Sequence, residues 1–375
     1  MEKLTLNSNL YFGAGSIDAL AAFNGKRVAI VTDPIMLKNG IAESAAGLVG
    51  CGREAIYDKI EPDPTLEQVA ETCKFVESIN AEVVVAIGGG SAIDTVKAVV
   101  LVLGGKDRKL FFVAIPTTAG TGSEVTNYTV IKDVAAGRKI PIADDRIVPD
   151  MAILDYTLTK TVPKTVTAFT GMDVITHALE AYVAEGANAI SDAYAEKALR
   201  LAFGNLYEAY IHGDSDAARE NMMMASYLAG LAFNHAGLGI CHSIAHALGA
   251  AFRIPHGEAN AIALTHVIAF NAGLDVPFGA DKSKAALKYA EAARIIGLPA
   301  AGTRLSVQYL VREIEDLRNK VGVPRTLMQL GVNAADLRER RAGIIDSVLK
   351  DGCTPANPVQ PDAGQVGKIL DKIMG

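Results

Sequence analysis

The sequence predicts a doubly wound α/β domain followed by an all-helical domain, and three observations support this. The chain has 375 residues, more than one domain usually holds, so two domains are expected. Short β-branched runs alternate with helical stretches as far as Asp155, which is typical of parallel strands buried on both faces. Helical patterns alone follow. We therefore predict an α/β domain over 1–160 and an all-helical domain over 161–375.

Individual elements can be placed along the chain. The first residues, MEKLTLNSNLYFGAG, are polar and strand-like and lack the apolar core of a secretory signal. Strands are predicted at 27–33, 82–91, 109–118 and 150–155. Helices are predicted at 168–183, 191–211, 222–252, 284–297 and 306–322. Pro and Gly from Asp351 onwards indicate a loop before a last short helix.

Composition excludes several classes of partner. Half of the residues are hydrophobic and 21% are charged, which indicates folded cores rather than disorder. The net charge of −6 and the lack of a long basic run give no support for nucleic acid or a membrane surface. The most apolar stretch, 222–252, is interrupted by His242 and His246 and is not a membrane span. Four scattered cysteines fit a reducing cytosol, so we expect a cytoplasmic protein with a small-molecule partner.

A glycine turn after the strand VVVAI is a candidate phosphate site. Gly88, Gly89, Gly90 and Ser91 open a helix that runs through Asp94. The free N–H groups and the positive end of such a helix favour a phosphate. Because GGGS departs from the GxGxxG fingerprint and such turns also form for packing reasons, this motif alone leaves both interpretations open.

Two further features favour a dinucleotide. The loop from Thr117 to Thr126 offers hydroxyls and glycines after the next strand, although it could equally be a solvated turn. Two such loops at the carboxyl ends of neighbouring strands favour a dinucleotide over chance packing. Asp33 ends the strand VAIVTD, where a carboxylate accepts from a ribose hydroxyl and repels a 2′-phosphate, which favours NAD over NADP. The equally supported alternative is that Asp33 and Pro34 begin a turn.

One carboxylate and several histidines form a candidate metal site. If their segments are helical, Asp173 and His177 lie one turn apart on one face. His242 and His246 do the same, and His256 follows on a Pro-Gly loop. One carboxylate and up to four imidazoles suit a divalent metal such as iron or zinc. The alternative, that each histidine is a satisfied core residue, would have to hold several times and would leave Asp173 buried without a partner.

Together these motifs resemble those of the iron-containing alcohol dehydrogenases. The resemblance covers nearly the whole chain, through LYFGAGS, EPDPT, GGGSAIDTVKA, PTTAGTGSEVT, PDMAILD, GMDVITHALEAY, GLGICHSIAHALGA, PHGEANA and CTPANP. Within the family, the sequence is most similar to the short 1-propanol dehydrogenases of propanediol-utilising bacterial microcompartments. The resemblance implies a cytoplasmic homo-oligomer, a dimer, with microcompartment shell or co-encapsulated enzymes as further partners.

The resemblance also implies roles for particular residues. The implied metal ligands are Asp173, His177, His242 and His256. His246 is implied as the catalytic residue beside them. The implied NAD contacts are Asp33, Gly89, Gly90, Ser91, Asp94, Thr117, Thr118, Thr126, Val130 and Lys139, although Lys139 alone would be taken for a solvated lysine. Phe233 and Leu238 match positions that line the substrate channel, and are equally ordinary apolar residues.

The implied reaction links a short aliphatic aldehyde and its primary alcohol. In this expectation Fe²⁺, or alternatively Zn²⁺, polarises the carbonyl, NADH delivers hydride and His246 passes a proton. Two positions depart from the family pattern and bear on substrate preference and interfaces. Ser243 stands where many relatives have Gly or Ala, and Val359 stands where Arg is expected.

Three alternative functions remain open. A glycerol or vicinal-diol dehydrogenase would use the same chemistry. A lyase similar to dehydroquinate synthase would need a basic pocket for phosphate and carboxylate. The segment 173–266 is poor in cations, which argues against that lyase; its cations are Lys197, Arg200, Arg219 and Arg253. A non-catalytic scaffold with a vestigial metal site is the third alternative, and a cofactor titration would test it.

Overall fold

A computed structural model describes residues 8–104, 110–135, 138–277, 280 and 283–375. Residues 1–7 and Lys109, which belong to predicted elements, lie outside this range. Contacts divide the chain into two compact units, Met1–Val162 and Pro163–Gly375. The first unit contains a parallel sheet with helices and the second contains helices, so the predicted fold class is confirmed.

The sheet of the first unit has six parallel strands in the order β1-β8-β5-β4-β2-β3. Every residue of the two strands at 28–32 and 83–88 is buried, which explains their continuous apolar sequence. All four predicted strands of this unit are present in the sheet. The six strands are β1 (Asn9–Phe12), β2 (Val28–Thr32), β3 (Ile56–Tyr57), β4 (Val83–Gly88), β5 (Phe111–Pro116) and β8 (Met151–Leu154).

Helices cover both faces of this sheet. Alternate residues of β2 and β4 point to opposite faces and belong to two separate apolar clusters. One cluster includes residues of α3 and α4, and the other includes residues of α1 and α2. The helices are α1 (Pro34–Lys38), α2 (Ile41–Leu48), α3 (Leu66–Ser78) and α4 (Gly90–Leu103).

The sequence did not predict one hairpin of the first unit. Strands β6 (Tyr128–Asp133) and β7 (Arg138–Ala143) form an antiparallel pair outside the main sheet. Buried and part-buried residues alternate along most of β6, so this strand lacks the continuous apolar sequence of the central strands. The hairpin therefore gives a weaker signal than a strand buried on both faces.

The described part of the second unit contains nine α-helices. The predicted helix at 222–252 is wrong in one respect, because it consists of two helices. The first ends at Ala236, Gly237 follows with φ of 86°, and the second begins at Ile240. Glycine adopts such a positive φ readily, and this conformation cannot continue a right-handed helix. The helices are α5 (Lys164–Val183), α6 (Ala189–Ile211), α7 (Asp216–Ala236), α8 (Ile240–Phe252), α9 (His256–Asn271), α10 (Lys284–Ile295), α11 (Thr303–Lys320), α12 (Ala334–Lys350) and α13 (Ala363–Met374).

Helix α5 is the centre of the second unit. It packs against α6, α7 and α9, and almost all of its residues from Thr167 to Val183 are buried. A Cβ atom on Gly171 would lie 2.1 Å from Cδ1 of Leu206, so glycine allows the close approach of α6. Along the described chain, no helix is both long enough and apolar enough to cross a bilayer.

Candidate metal and cofactor sites

Three helices bring the four predicted metal ligands together. Asp173 and His177 lie one turn apart on α5, and His242 lies in the first turn of α8. His256 is the first residue of α9, and Pro255 is the residue just before that helix. The prediction that His256 lies on a loop is therefore wrong. One ligand atom from each of these side chains lies within 4.8 Å of all the others.

A glycine explains how α9 reaches α5. A Cβ atom on Gly257 would lie 2.2 Å from the carbonyl oxygen of Phe169 and 3.3 Å from Cβ of Asp173. Only a residue without a side chain allows this backbone contact. The contact places Nε2 of His256 3.7 Å from Oδ1 of Asp173. Gly257 therefore allows the helix contact that brings His256 to Asp173.

The ligand atoms of this cluster are buried to different degrees. The side chains of Asp173 and His242 are 6% and 2% exposed, whereas that of His256 is 40% exposed. Oδ1 of Asp173 lies 3.9 Å from Nε2 of His242 and accepts a hydrogen bond of 2.7 Å from Asn260. The rings of His177 and His242 stack with centroids 4.6 Å apart. The cluster is therefore shielded from solvent at Asp173 and His242 and accessible to solvent at His256.

Glu180 orients His242 from the opposite side. Oε2 of Glu180 lies 2.5 Å from Nδ1 of His242, and its other oxygen accepts from the backbone N–H of Cys241 at 2.7 Å. Burial raises the pKa of Glu180 to about 7, against the effect of the backbone donors, of which Cys241 is the strongest. Nδ1 of His242 carries the hydrogen that it donates to this carboxylate. In the neutral ring, Nε2 therefore has the lone pair, and it faces the cluster.

The described residues fit a bound cation. Nε2 of His242 is buried and, among the residues that the structure describes, has no hydrogen-bond partner. Burial and the neighbouring imidazoles hold the pKa of His242 well below its usual range, so the ring is the neutral ligand that a metal requires. Burial alone would raise the pKa of Asp173, but the three imidazoles and Asn260 bring it below its ordinary value. Three imidazoles and one carboxylate are a donor set for Fe²⁺ or Zn²⁺.

His246 lies beside the cluster and outside the set of four. Its ring stacks on that of His256 with centroids 5.2 Å apart. Nδ1 of His246 lies 2.9 Å from Oδ2 of Asp351. Burial alone would raise the pKa of Asp351, but the hydrogen bond with His246 and two further donors hold it well below the usual range.

The two predicted channel residues are placed differently. The ring centroid of Phe233 lies 4.6 Å from that of His177, so Phe233 borders the candidate metal site with an apolar face. Leu238 lies in the turn between α7 and α8 and is partly buried.

In the first unit, the glycine turn and the threonine loop lie together at the carboxyl ends of β4 and β5. Gly89 precedes α4, and Gly90 is its first residue. A Cβ atom on Gly89 would lie 3.4 Å from Oγ1 of Thr118, and one on Gly90 would lie 2.9 Å from Cγ2 of Thr121. Ser91 follows in the same first turn of α4, and Thr117 donates its N–H to Gly88 at 3.0 Å. Backbone groups and hydroxyls therefore converge where a phosphate is expected.

Asp33 belongs to the same edge of the sheet and also caps a helix. Its Oδ1 accepts from the N–H groups of Ile35 and Met36 at 2.8 and 3.1 Å. Its Oδ2 would lie 3.3 Å from a Cβ atom on Gly88. Asp33 thus begins α1, as the turn alternative expected, and still lies at the edge predicted to bind the cofactor.

Lys97 is buried and Asp94 is partly buried, and both attach the following loop to α4. Oδ1 of Asp94 accepts from Ser123 at 2.6 Å, and Nζ of Lys97 donates to Thr126 at 2.8 Å. Val130 donates its N–H to Oδ2 of Asp94 at 3.4 Å. Burial raises the pKa of Asp94 and lowers that of Lys97 to about 8. Lys139, on β7, pairs with Asp63 at 2.9 Å on the surface.

Sequence reasoning missed four residues of these sites. Glu180 lies three residues after His177 on α5, so helical spacing could have indicated it. Asn260 lies four residues after His256, and the same argument applies. Asp351 and Asn357 have no such signal, because their partners on α8 are more than 100 residues away. Oδ1 of Asn357 accepts the N–H of Ile240 at 3.1 Å and thereby caps α8 from the far end of the chain.

A parallel α/β unit with a phosphate-type edge and a helical unit with a buried cluster of imidazoles are typical of an enzyme that uses a dinucleotide and a metal ion. Comparison with known families agrees. A model described as "Iron-containing alcohol dehydrogenase" matches residues 7–156, and one described as "Fe-containing alcohol dehydrogenase family, C-terminal" matches residues 167–374. The chain therefore belongs to the iron-containing alcohol dehydrogenase family and is an oxidoreductase.

Individual relatives agree with this assignment. The chain is 39% identical to the 1-propanol dehydrogenase PduQ of Citrobacter freundii, and the match covers 100% of both chains. It is 36% identical to an NADPH-dependent butanol dehydrogenase of Clostridium saccharobutylicum, over 99% of this chain and 97% of the relative. Its fold is similar to the crystal structure of a 1,3-propanediol oxidoreductase, with a TM-score of 0.89, 31% identity and full coverage of both chains. The prediction of an alcohol dehydrogenase is confirmed.

Proposed function

We propose that the protein interconverts short aliphatic aldehydes and primary alcohols, such as propionaldehyde and 1-propanol, with NAD(H) and a metal ion. The metal is Fe²⁺, with Zn²⁺ as a possible substitute, and its ligands are Asp173, His177, His242 and His256. The observation that carries this proposal is the buried Nε2 of His242, which has no hydrogen-bond partner among the described residues while its Nδ1 is held by Glu180. Such an atom is costly unless a ligand occupies its lone pair.

The apolar face of the site and the scarcity of free cations near it support an uncharged substrate. Phe233 gives the site an apolar face against His177. Arg219, the one buried arginine of 173–266, donates to Thr167 and to the carbonyl of Gly213. These hydrogen bonds hold the guanidinium within the fold, which does not favour its use for a phosphorylated substrate. The relatives named above act on 1-propanol, butanol and 1,3-propanediol by name, which supports short aliphatic alcohols as the substrate class.

The chain's residues supply orientation and a proton path. A bound metal ion would act as a Lewis acid toward the aldehyde or alcohol oxygen, and NADH would supply the hydride. Glu180 holds His242 in one orientation through Nδ1, and Asn260 holds Asp173 through Oδ1. His246 lies against His256 and is only partly buried, so it is suited to pass a proton between the substrate oxygen and water.

The cofactor part of the proposal rests on the edge of the first unit. The pyrophosphate would bind at Gly89, Gly90 and Ser91, and the adenosine ribose at Asp33. The contacts with Asp94, Thr117, Thr118, Thr126, Val130 and Lys139 are proposed on the family resemblance. Because one relative is named as NADPH-dependent, the preference for NADH is best tested by titrating both reduced cofactors in parallel.

We also propose that the protein is a cytoplasmic homodimer that associates with a bacterial microcompartment. This part rests on the resemblance to the 1-propanol dehydrogenases and on no contact in the structure. Analytical ultracentrifugation would measure the oligomeric state. Co-sedimentation with purified shells, compared with an unrelated dehydrogenase, would test association.

The activity is tested by following NADH oxidation with propionaldehyde under anaerobic conditions. Chelator-treated protein should be inactive, and activity should return with Fe²⁺ or Zn²⁺. We expect His256→Ala to lose at least about 100-fold in kcat/KM and to bind less metal. His212→Ala, which changes an exposed histidine paired with Glu208, should behave as the wild type. Tight NADH binding without turnover of aldehyde, alcohol or glycerol would reject the proposal in favour of the scaffold.

A further inference from the structure

His246 and Asp351 form a hydrogen-bonded pair beside the candidate metal ligands. Nδ1 of His246 lies 2.9 Å from Oδ2 of Asp351. The side chains are 25% and 19% exposed, so most of the pair is removed from water. A hydrogen bond between an imidazole and a carboxylate in such a place fixes its partners more firmly than one on the open surface.

Asp351 is itself held by a second set of hydrogen bonds. Its Oδ1 accepts from the N–H of Cys353 at 2.9 Å and from the hydroxyl of Ser243 at 3.1 Å. Thr354 donates its hydroxyl to the carbonyl of Val348 and lies 2.8 Å from the hydroxyl of Ser243. Because the proton of Thr354 is used, Thr354 accepts from Ser243, whose single hydroxyl proton is shared between Thr354 and Asp351. The carboxylate therefore cannot rotate without breaking several contacts.

This arrangement determines which nitrogen of His246 carries the proton. An ionised carboxylate only accepts hydrogen bonds. Nδ1 of His246 must therefore carry a hydrogen and donate it to Asp351. In the neutral imidazole, Nε2 is then the nitrogen with a lone pair. It can accept a proton on the side of the ring opposite Asp351.

A second metal site is the other interpretation of this cluster. Ligand atoms of His246, Asp351 and Cys353 lie within 4.8 Å of one another. However, both oxygens of Asp351 already accept hydrogen bonds, and burial raises the pKa of the Cys353 thiol well above its usual range. A protonated thiol and an occupied carboxylate are poor metal ligands. The contacts favour a group that positions His246.

We propose that Asp351, held by Ser243, is the positioning residue that fixes His246 with its proton on Nδ1 and its Nε2 free for the reaction. This inference rests on the proposed function and deepens it. In alcohol oxidation, Nε2 accepts the hydroxyl proton while the carbon-bound hydrogen leaves as hydride to NAD⁺, and Asp351 stabilises the resulting imidazolium. In aldehyde reduction, the imidazolium returns that proton to the product oxygen and becomes neutral again.

The tautomer is tested directly by ¹⁵N NMR of histidine-labelled, Zn²⁺-loaded protein. We expect His246 of the wild type to carry its hydrogen on Nδ1. In Asp351→Asn the amide replaces the carboxylate, so this preference should be lost. Asp346→Asn, which changes an exposed aspartate paired with Lys350, should leave the spectrum of His246 unchanged. A wild-type His246 with its hydrogen on Nε2 would overturn the proposal, and this result does not depend on turnover.

The kinetic consequence is tested with a double-mutant cycle. Asp351→Asn should lower kcat for propionaldehyde about 10- to 100-fold, with KM and metal affinity within about threefold of the wild type. When Asp351→Asn is added to His246→Ala, kcat should fall no further, because a residue that acts through His246 has no effect without it. Equal losses in both backgrounds, or a loss confined to metal affinity, would show a merely structural role. A wild type without turnover would reject the proposed function, and the NMR result would still decide the tautomer.

Discussion

The candidate metal site of the second unit and the candidate cofactor site of the first unit are formed by different kinds of groups. In the second unit, side chains from α5, α8 and α9 converge, and their positions depend on how closely three helices pack. In the first unit, backbone groups and hydroxyls gather where two neighbouring strands end. A site of the first kind is sensitive to remote packing, whereas a site of the second kind depends mainly on local turns.

The two regions also differ in whether their buried polar groups have hydrogen-bond partners. In the first unit, Lys97 donates to Thr126 and to the carbonyl of Tyr128, and Asp94 accepts from Ser123. These charges are satisfied within the protein. In the second unit, Nε2 of His242 has no partner among the described residues. A satisfied network stabilises a loop, whereas a buried lone pair without a partner inside a cluster of possible ligand atoms fits a bound metal ion.

The largest effect is expected for Glu180, which holds the candidate ligand His242 through Nδ1. In Glu180→Gln, an amide N–H would face Nδ1 of His242 and favour the tautomer whose hydrogen sits on Nε2. That tautomer cannot bind a metal through Nε2. We expect the metal dissociation constant to rise about 10- to 100-fold, measured by competition with a chelator. Glu196→Gln, which removes a carboxylate that accepts from Tyr182, is the control, and equal affinities in the two variants would contradict the role of Glu180.

A matched pair of glycine substitutions compares the two regions directly. In Gly257→Ala, the new Cβ atom would meet the backbone of Phe169 at 2.2 Å, so α9 must move away from α5. We expect a loss of about 2 kcal/mol in the free energy of unfolding and a weaker metal site. In Gly90→Ala, the nearest atom is a methyl group of Thr121 at 2.9 Å, which can rotate away. NADH titration and urea unfolding should show smaller losses there, and losses of equal size would contradict the comparison.

The smallest effect concerns a buried carboxyl of the first unit. Burial raises the pKa of Glu124 from 4.5 to about 7. The folded state therefore binds a proton more tightly than the unfolded state. This contribution to stability is complete below about pH 4.5 and is lost as the pH rises through about 7. Glu124 should make the unfolding free energy of the wild type fall as the pH rises from 6 to 7. In Glu124→Gln this contribution is absent, so the fall should be smaller by about 1 kcal/mol.

Urea unfolding at these two pH values measures that difference. Glu82→Gln, which changes an exposed carboxylate paired with Arg27, should retain the pH dependence of the wild type. An unchanged slope in Glu124→Gln would show that the carboxyl is ionised in the folded state throughout this range.

The parts of the molecule that the sequence predicted are those with strong local signals. The strands at 28–32 and 83–88 were predictable because burial on both faces makes them continuously apolar. Asp173, His177 and His242 were predictable as a cluster because helical spacing places Asp173 and His177 on one face of a helix and His242 and His246 on one face of another. The hairpin of β6 and β7 was missed because its residues alternate in burial and resemble a surface loop.

The parts that were missed depend on distant contacts or on exact helix ends. His256 was placed on a loop because Pro and Gly flank it, yet Pro is well tolerated just before a helix and Gly257 is required for contact with α5. Asp351 and Asn357 reach α8 across more than 100 residues. No periodicity of the local sequence encodes such a contact.

The cap on α8 has a consequence for how the protein is made. The backbone N–H of Ile240 donates to Oδ1 of Asn357, which comes 117 residues later in the chain. A ribosome that adds about 5–20 residues per second needs roughly 6 to 23 seconds to cover that interval. During this time the nascent helix that carries His242 and His246 has neither Asn357 at its first turn nor Asp351 beside it. The candidate metal site and its surroundings are thus completed late in translation, and a premature stop shortly before residue 351 would leave a chain with all four candidate ligands and an unfinished site.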